Sequence, residues 1–371
     1  MSPHRLLAVA RKETIQLRRD PRSLILAFLL PIALILFFGY AISFDVKNIS
    51  LGVLDRSNTN ESRRLIEAFT SSGYFTVTER LARYDDADAA LADGRAQLIL
   101  IIPPDFQKNL DAGRPAPVQA LLDGGDANTA TIAQNYADAI VAGYSADVVL
   151  AGRRVAPPLV ADARVWYNEA LESRNMIVPG LIAVIMSIIA AMLTALTIAR
   201  EWERGTMEQL AATPVHRLEV VLGKLVPYVG IGLFDVTLAV VAGIVIFQVP
   251  FRGNVILLAV MTFLFLVGAL GLGMFISAAV KSQVLATQAA MVATYLPALL
   301  LSGFIFSIAT MPLPLRLITY IVPARYYVTV TKGVFLKGVG FNVLWPDAVA
   351  MIVFATMGLT LAIRAFHKEI A

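Results

Sequence analysis

Residues 200–214 read Arg-Glu-Trp-Glu-Arg-Gly-Thr-Met-Glu-Gln-Leu-Ala-Ala-Thr-Pro, a short charged stretch between two long apolar runs. Arg200–Arg204 carries the preceding helix into water. Gly205 permits a turn, because it reaches backbone angles closed to other residues. Thr206 to Gln209 fits a capping box, with the Thr206 hydroxyl accepting from the N–H of Gln209 and the Gln209 side chain reaching back. The new helix ends near Ala212, since Pro214 biases Thr213 away from helical angles and itself suits the first turn of a following helix. So short a helix is marginal alone and must dock on something. Taken by itself, the stretch reads equally as a solvated connecting loop. Glu201, Arg204 and Glu208 stand at i, i+3 and i+7, which is ion-pair spacing along one helix face.

Working outward, the flanks decide the class. Of the 371 residues, 57% are hydrophobic and 16% are charged, and the mean hydropathy is +0.70. A soluble domain has about a quarter of its residues charged and lacks apolar runs of about 20 residues. The chain is therefore read as a membrane protein. With 0 cysteines it has no disulfide framework, thiolate metal site or cysteine nucleophile. His4, His216 and His367 lie in separate segments without ligand spacing and read as interfacial residues.

Residues 1–20 form an amphipathic interface helix. Leu6, Leu7, Ala10, Thr14 and Leu17 recur at helical spacing, while Arg5, Arg11, Lys12, Arg18 and Arg19 crowd the remaining surface. That pattern suits a helix lying on anionic headgroups. Asp20 and Pro21 then serve as N-cap and first helical residue. The first span covers 21–44, with its apolar helix over Arg22–Phe44. A cleaved signal peptide, cut at Ala41-Ile-Ser43, is the rival reading, but the apolar run is longer than a usual signal core.

Residues 45–173 change character, and no run there would cross a bilayer. Ile49, Leu51 and Val53 alternate. Helical stretches at 58–72, 85–93 and 129–150 interleave with strands at 74–78, 96–102 and 118–122. Strands alternating with helices predict a compact α/β domain. Asp123-Gly-Gly-Asp126 has too few ligands for a calcium loop and reads as a turn. Trp166 and Tyr167 mark the return to the membrane interface.

Residues 174–371 form the remaining membrane domain. Spans two to six are placed at 175–199, 218–249, 255–280, 285–308 and 345–365. Residues 309–344 are broken by Pro312, Pro314 and Pro323, and the apolar pieces 315–322 and 326–336 are too short to cross. Backbone at membrane depth that does not span must be buried in protein, so a re-entrant pair of half-helices is expected. Thirteen Lys and Arg residues fall on the side of the N-terminal segment, the 200–224 loop, Lys281 and the tail, against five on the other. The positive-inside rule then places both termini and 200–214 in the cytoplasm, and 45–173 outside.

No Gly-x-x-x-x-Gly-Lys-Ser/Thr loop is present, so the chain is not expected to bind and hydrolyse ATP. Neither a Gly-x-Ser-x-Gly elbow nor a His-Glu-x-x-His helix occurs, so no catalytic residue and no metal ligand is assigned. Asp235 is the acid deepest in a span. It reads as a proton- or cation-coupling group, or as a buried acid paired with a hydroxyl or set at a subunit interface. The second reading is preferred, because a proton-driven carrier would show several membrane acids or an internal repeat.

Several motifs, in order, resemble one family. Arg11-Lys-Glu13 followed by Arg19-Asp-Pro21 is similar to the connecting helix and first-span entry of ABC-2 type permeases, in the drug-export branch with a large outer domain after the first span. Glu201-x-Glu203-x-Gly-Thr-x-Glu208-x-Leu210, closed by Thr213-Pro214, resembles the family's coupling segment. Ile102-Pro-Pro-Asp-Phe106, Leu122-Asp-Gly124, Leu300-Leu-Ser-Gly303 and Val322-Pro-Ala-Arg325-Tyr also fit. The resemblance covers nearly the whole chain. It implies an α-helical membrane protein with six transmembrane helices plus an inserted extracytoplasmic α/β domain, the ABC-2 (type V-like) exporter fold. It further implies a second permease subunit, identical or sibling, and a cytoplasmic ABC ATPase that binds ATP and Mg. Asp235 departs from the uncharged polar residue expected there, so no family role is carried to it.

The expected function is the permease subunit of an ATP-driven exporter of a hydrophobic or amphipathic, drug-like compound, in a bacterial inner membrane. The chain itself is not an enzyme and needs no cofactor. Coupling to the ATPase is assigned to Glu201, Glu203, Arg204, Gly205, Thr206, Glu208, Gln209 and Pro214, and the interface helix to Arg11, Lys12, Glu13, Arg19 and Asp20. A translocation path between subunits would involve Met186, Met192, Asp235, Tyr295 and Ser302. A periplasmic membrane-fusion adaptor is a further expected partner, and nucleic acid is not. The alternatives are a membrane-anchored sensor with an outer ligand-binding domain, which would need a cytoplasmic output domain, and an ion-coupled secondary transporter.

Overall fold

The computed structural model describes residues 2–42, 48–125, 127–149, 167–168 and 172–366. Trp166, Phe44 and the tail cation Lys368 lie outside these residues. The helices in chain order are α1 (Pro3–Arg18), α2 (Pro21–Leu24), α3 (Leu30–Ala41), α4 (Asn60–Ser71), α5 (Asp85–Ala92), α6 (Phe106–Asp111), α7 (Ala127–Val149), α8 (Ser173–Glu203), α9 (Met207–Ala211), α10 (Arg217–Val245), α11 (Val255–Val280), α12 (Gln283–Leu300), α13 (Leu313–Ile318), α14 (Pro323–Lys332) and α15 (Phe341–Ala365). The strands are β1 (Ile49–Asp55), β2 (Phe75–Arg80), β3 (Leu98–Ile102) and β4 (Gln119–Leu122). The chain divides into two compact units, residues 44–163 and residues 1–43 with 164–371.

The smaller unit is an α/β layer. Its sheet runs β2-β1-β3-β4, with β1 parallel to β2 and β3, and β3 antiparallel to β4. Every residue of β3 is buried, as expected for a strand covered on both faces. Leu98, Leu100 and Ile102 join Leu65 and Phe69 of α4 and Ala133 and Ala137 of α7. Ile99 and Ile101 point the other way, onto Ala87 and Ala90 of α5. Thr59 and Ser62 close α4 with a reciprocal cap, the Thr59 N–H donating to Ser62 Oγ at 3.0 Å. The Tyr144 hydroxyl of α7 lies 2.9 Å from the Glu61 carboxylate. Burial, and then that carboxylate, push its phenol well above its ordinary range.

The larger unit is helical. Among the described residues five helices, α8, α10, α11, α12 and α15, are long and apolar enough to cross a membrane. The helix expected over Arg22–Phe44 is instead α2 and α3 joined through a π-helical turn at Ile25–Leu29, and its apolar part is the 15 residues Ala27–Ala41. The span placed at 285–308 ends early, at Leu300. Pro297 sits in its last turn, and Gly303 adopts a left-handed conformation (φ 79°) that ends helical continuity. The segment expected as half-helices holds α13, α14 and a π-helical turn at Gly333–Lys337 that stops at left-handed Gly338.

Helix α8 is buried along nearly its whole length. It packs on α11, α12, α14 and α10, and α11 packs in turn on α15. Small residues let the backbones approach: a Cβ placed on Gly271 would stand 2.7 Å from the carbonyl carbon of Gly358. Hydroxyls bridge the same helices. Thr194 donates to the Leu270 carbonyl at 2.8 Å, and Ser277 Oγ accepts from the Ala199 N–H at 2.9 Å.

Candidate functional site: a charged segment held at both ends

At the end of α8, successive side chains reach different elements. Arg200 pairs with Asp20, at 2.6 Å, just before α2. Glu201 turns inward and receives Lys12 of α1 at 2.5 Å and Lys224 of α10 at 3.1 Å. Trp202 lies under the ammonium of Lys281, 4.3 Å from the ring centroid, at the end of α11. Glu203 accepts from the Gln283 N–H at 2.7 Å and from its side-chain amide, capping the start of α12. Arg204 is exposed. Gly205 then turns the chain at φ 67°, a conformation that favours glycine.

The inward part is a buried ion cluster. Lys224 is 1% exposed, Glu13 2% and Glu201 2%. Lys224 Nζ donates to Glu13 Oε2 at 3.0 Å, and the Tyr228 hydroxyl donates to the other Glu13 oxygen at 3.3 Å. An isolated charge at such depth would be expensive, whereas two carboxylates around one ammonium, with a second ammonium beside them, balance it. Glu201 is therefore an internal residue, not an outward one. The ion-pair face expected for Glu201, Arg204 and Glu208 does not form, because the turn at Gly205 breaks it.

The other end is held by the same helix. Arg5 donates to the Pro214 carbonyl at 2.6 Å, and the Ser2 N–H donates to Glu219 at 2.6 Å. Glu219 also accepts from the His216 N–H at 2.9 Å, closing the first turn of α10. Helix α1 thus clasps residues 200–219 from both sides. Its buried face is Val9, Ala10, Glu13 and Leu17, so the apolar stripe is rotated from the one expected. Leu7 is 61% exposed, and Thr14 is exposed as well. Arg11 and Arg19 are exposed, Lys12 bends to the cluster, and Asp20 holds Arg200.

Between the clasped ends, residues 204–214 stand out. The Thr206 hydroxyl donates back to the Glu201 carbonyl at 3.4 Å, and Met207 is buried. Helix α9 is just over one turn, and Glu208, Gln209, Thr213 and Pro214 are exposed.

The residues expected along a path do not gather at one cavity. Met186 and Ser302 are buried, while Met192 and Tyr295 are half-buried. The apolar cavity among α8, α11, α12, α14 and α15 is lined instead by Ser187, Phe265, Thr294 and Pro323 with their neighbours. Asp235 is 3% exposed, and neither carboxylate oxygen has a hydrogen-bond partner among the described residues, so the hydroxyl expected beside it is not there.

Sequence reading missed Lys224, Tyr228, Glu219 and Arg5. A signal existed for the first: Glu13 falls on the apolar face of α1, and Lys224 enters an apolar helix, so each needed an opposite charge.

The site is thus a charged turn set among apolar helices and clasped at both ends by α1. The chain belongs to the ABC-2 family of transporter permeases: the family described as ABC-2 family transporter protein matches over residues 21–364. It is 36% identical to the probable multidrug ABC transporter permease YbhS of Escherichia coli K12, over 97% of this chain and 96% of that protein. It is 30% identical to the probable multidrug ABC transporter permease YbhR of the same organism, over 99% of each chain. The inner membrane transport permease YhhJ, also of Escherichia coli K12, is 27% identical over 88% of this chain and 87% of its own length. The chain is thus a multi-pass membrane permease, a transport component, and its family implies an ATPase partner and a permease dimer.

Proposed function

We propose that the chain is the membrane subunit of an ATP-driven exporter that moves a hydrophobic or amphipathic compound out of a bacterial inner membrane or cytoplasm. A separate ABC ATPase binds ATP and magnesium and grips the exposed turn at Arg204, Gly205, Glu208, Gln209 and Pro214. Both termini and this turn face the cytoplasm, residues 45–173 face the periplasm, and six segments cross, counting α2–α3 as the first. The permease works as a dimer with itself or a sibling, and a periplasmic adaptor continues the path.

The observation that carries the reading is the clasp. A turn that only connected two spans would need no buried ions at its root. Here Glu201 is locked to Lys12 and Lys224, while Arg204, Gly205, Glu208, Gln209 and Pro214 are left exposed. Force applied to the exposed part would pass into α8, α10 and α1 together. Coupling needs contacts that differ between two states, and a gripped turn with a rigid root supplies them.

The test is reconstitution in liposomes with the candidate ATPase and a fluorescent hydrophobic drug. Export should require ATP and the ATPase. Export driven by a pH gradient without any ATPase would overturn the reading in favour of an ion-coupled carrier.

A further inference from the structure

Beside the charged turn lies a second feature that the coupling reading leaves unused. The ends of α8, α11 and α15 enclose a cavity of about 300 Å³, lined by Ile198, Trp202, Met207, Ala278, Lys281 and Phe366, among others. Its walls are apolar except for one cation. Lys281 holds a left-handed backbone (φ 58°) as the C-cap of α11, and this turns its side chain over the Trp202 ring. No carboxylate pairs with it among the described residues. Each helix that walls the cavity ends in an exposed cation, with Arg204 after α8, Lys281 after α11 and Arg364 in the last turn of α15.

We propose that this cavity binds an anionic phospholipid, with its phosphate on Lys281 and the start of an acyl chain against Ile198, Ala278 and Phe366. Three observations favour that occupant. The cavity opens at the ends of three helices long and apolar enough to cross a membrane, the level at which headgroups would lie. Its lining pairs an interfacial tryptophan with apolar walls, the environment in which an amphipathic ring and an acyl chain both rest. Its lining carries the Lys281 ammonium, and basic pockets between helices at a membrane face bind anionic headgroups. The cavity size falls at the lower end for small-ligand sites, which suits the first part of a chain better than a whole drug. The inference does not depend on the ATPase reading. It does place a lipid directly behind Trp202 and Met207, the two apolar residues on which the turn rests.

The test is native mass spectrometry of the purified full chain titrated with palmitoyl-oleoyl phosphatidylglycerol, phosphatidylcholine or inorganic phosphate. Phosphatidylglycerol should bind in preference to phosphatidylcholine, and inorganic phosphate should not displace it. Lys281→Gly removes the charge but suits the left-handed backbone, so the fold is kept. It should weaken phosphatidylglycerol binding by roughly fivefold, and Lys281→Arg should restore it. Ala279 also lines the cavity, so Ala279→Trp, which fills it, should lower the retention of either lipid. Equal retention of both lipids by the wild type, or full retention by Lys281→Gly, would overturn the proposal. Displacement by inorganic phosphate alone would reassign the site to a free anion. If Ala279→Trp spares lipid but weakens ATPase binding, the cavity is a protein socket and the proposal fails.

Discussion

Lys12 Nζ lies 2.5 Å from Glu201 Oε1, joining the N-terminal helix to the last turn of the most buried span across 189 residues of sequence. The contact is asymmetric. The Lys12 side chain is 49% exposed, whereas that of Glu201 is 3% exposed and shares its carboxylate with buried Lys224. The two partners should therefore respond differently to removal.

Lys224→Met leaves Glu13 and Glu201 with one exposed lysine between them and should destabilise the unit by about 3–5 kcal/mol. Lys12→Ala removes a half-exposed partner and should cost no more than about 1 kcal/mol. Thermal unfolding of purified variants in detergent, followed by tryptophan fluorescence, would separate them. Equal losses would mean that the cluster is not organised around Lys224.

Glu208→Ala and Arg204→Ala touch only exposed side chains, so unfolding free energies should stay within about 0.5 kcal/mol of the parent. Stimulation of the partner ATPase should nevertheless drop severalfold. Glu203→Ala should lower stability as well as stimulation, since it also uncaps α12. Wild-type stimulation in the Arg204 and Glu208 variants would remove the turn from the ATPase contact.

Gly205 has nothing within 4 Å of an added Cβ, so Gly205→Ala meets no neighbour. Its penalty is the left-handed backbone alone, about 1–2 kcal/mol. Gly205→Asn should be milder, because asparagine tolerates that region. If both variants behave alike in unfolding, φ at this position is not what the turn requires.

How far these features could be read in advance differs by element. The alternation in β1, the unbroken apolar run of β3 and the proline-broken segment after α12 all carry local periodicity, and their helices and strands appear within a few residues of the expected positions. The ends of the spans were less legible. Pro297 and Gly303 halt α12 through backbone geometry that a hydropathy window ignores. The π-helical turn in the first span likewise leaves the apolar pattern unchanged. The exposed half of residues 200–214 was visible as charge and punctuation. The buried half was not, since Glu201 looks like any surface glutamate until Lys224 and Lys12 are brought to it from distant segments.

Asp235 has no such rescue. Burying a polar group without a partner costs free energy, so Asp235→Leu should leave the unfolding temperature unchanged or raise it. A loss of more than about 2 kcal/mol would show that the carboxyl has a structural partner after all.

The clasp also sets an order of assembly. Helix α1 is made well before the residues it grips, since Glu201, Pro214 and Glu219 follow some two hundred positions later. During synthesis Glu13 waits without a counter-charge until α10 has been delivered to the bilayer. Lys224 arrives last, after Glu13 of α1 and Glu201 of α8 have been made, so its insertion completes the cluster. A nascent chain stopped before α10 would therefore carry Glu13 and Glu201 without Lys224, the cation that neutralises both in the finished fold.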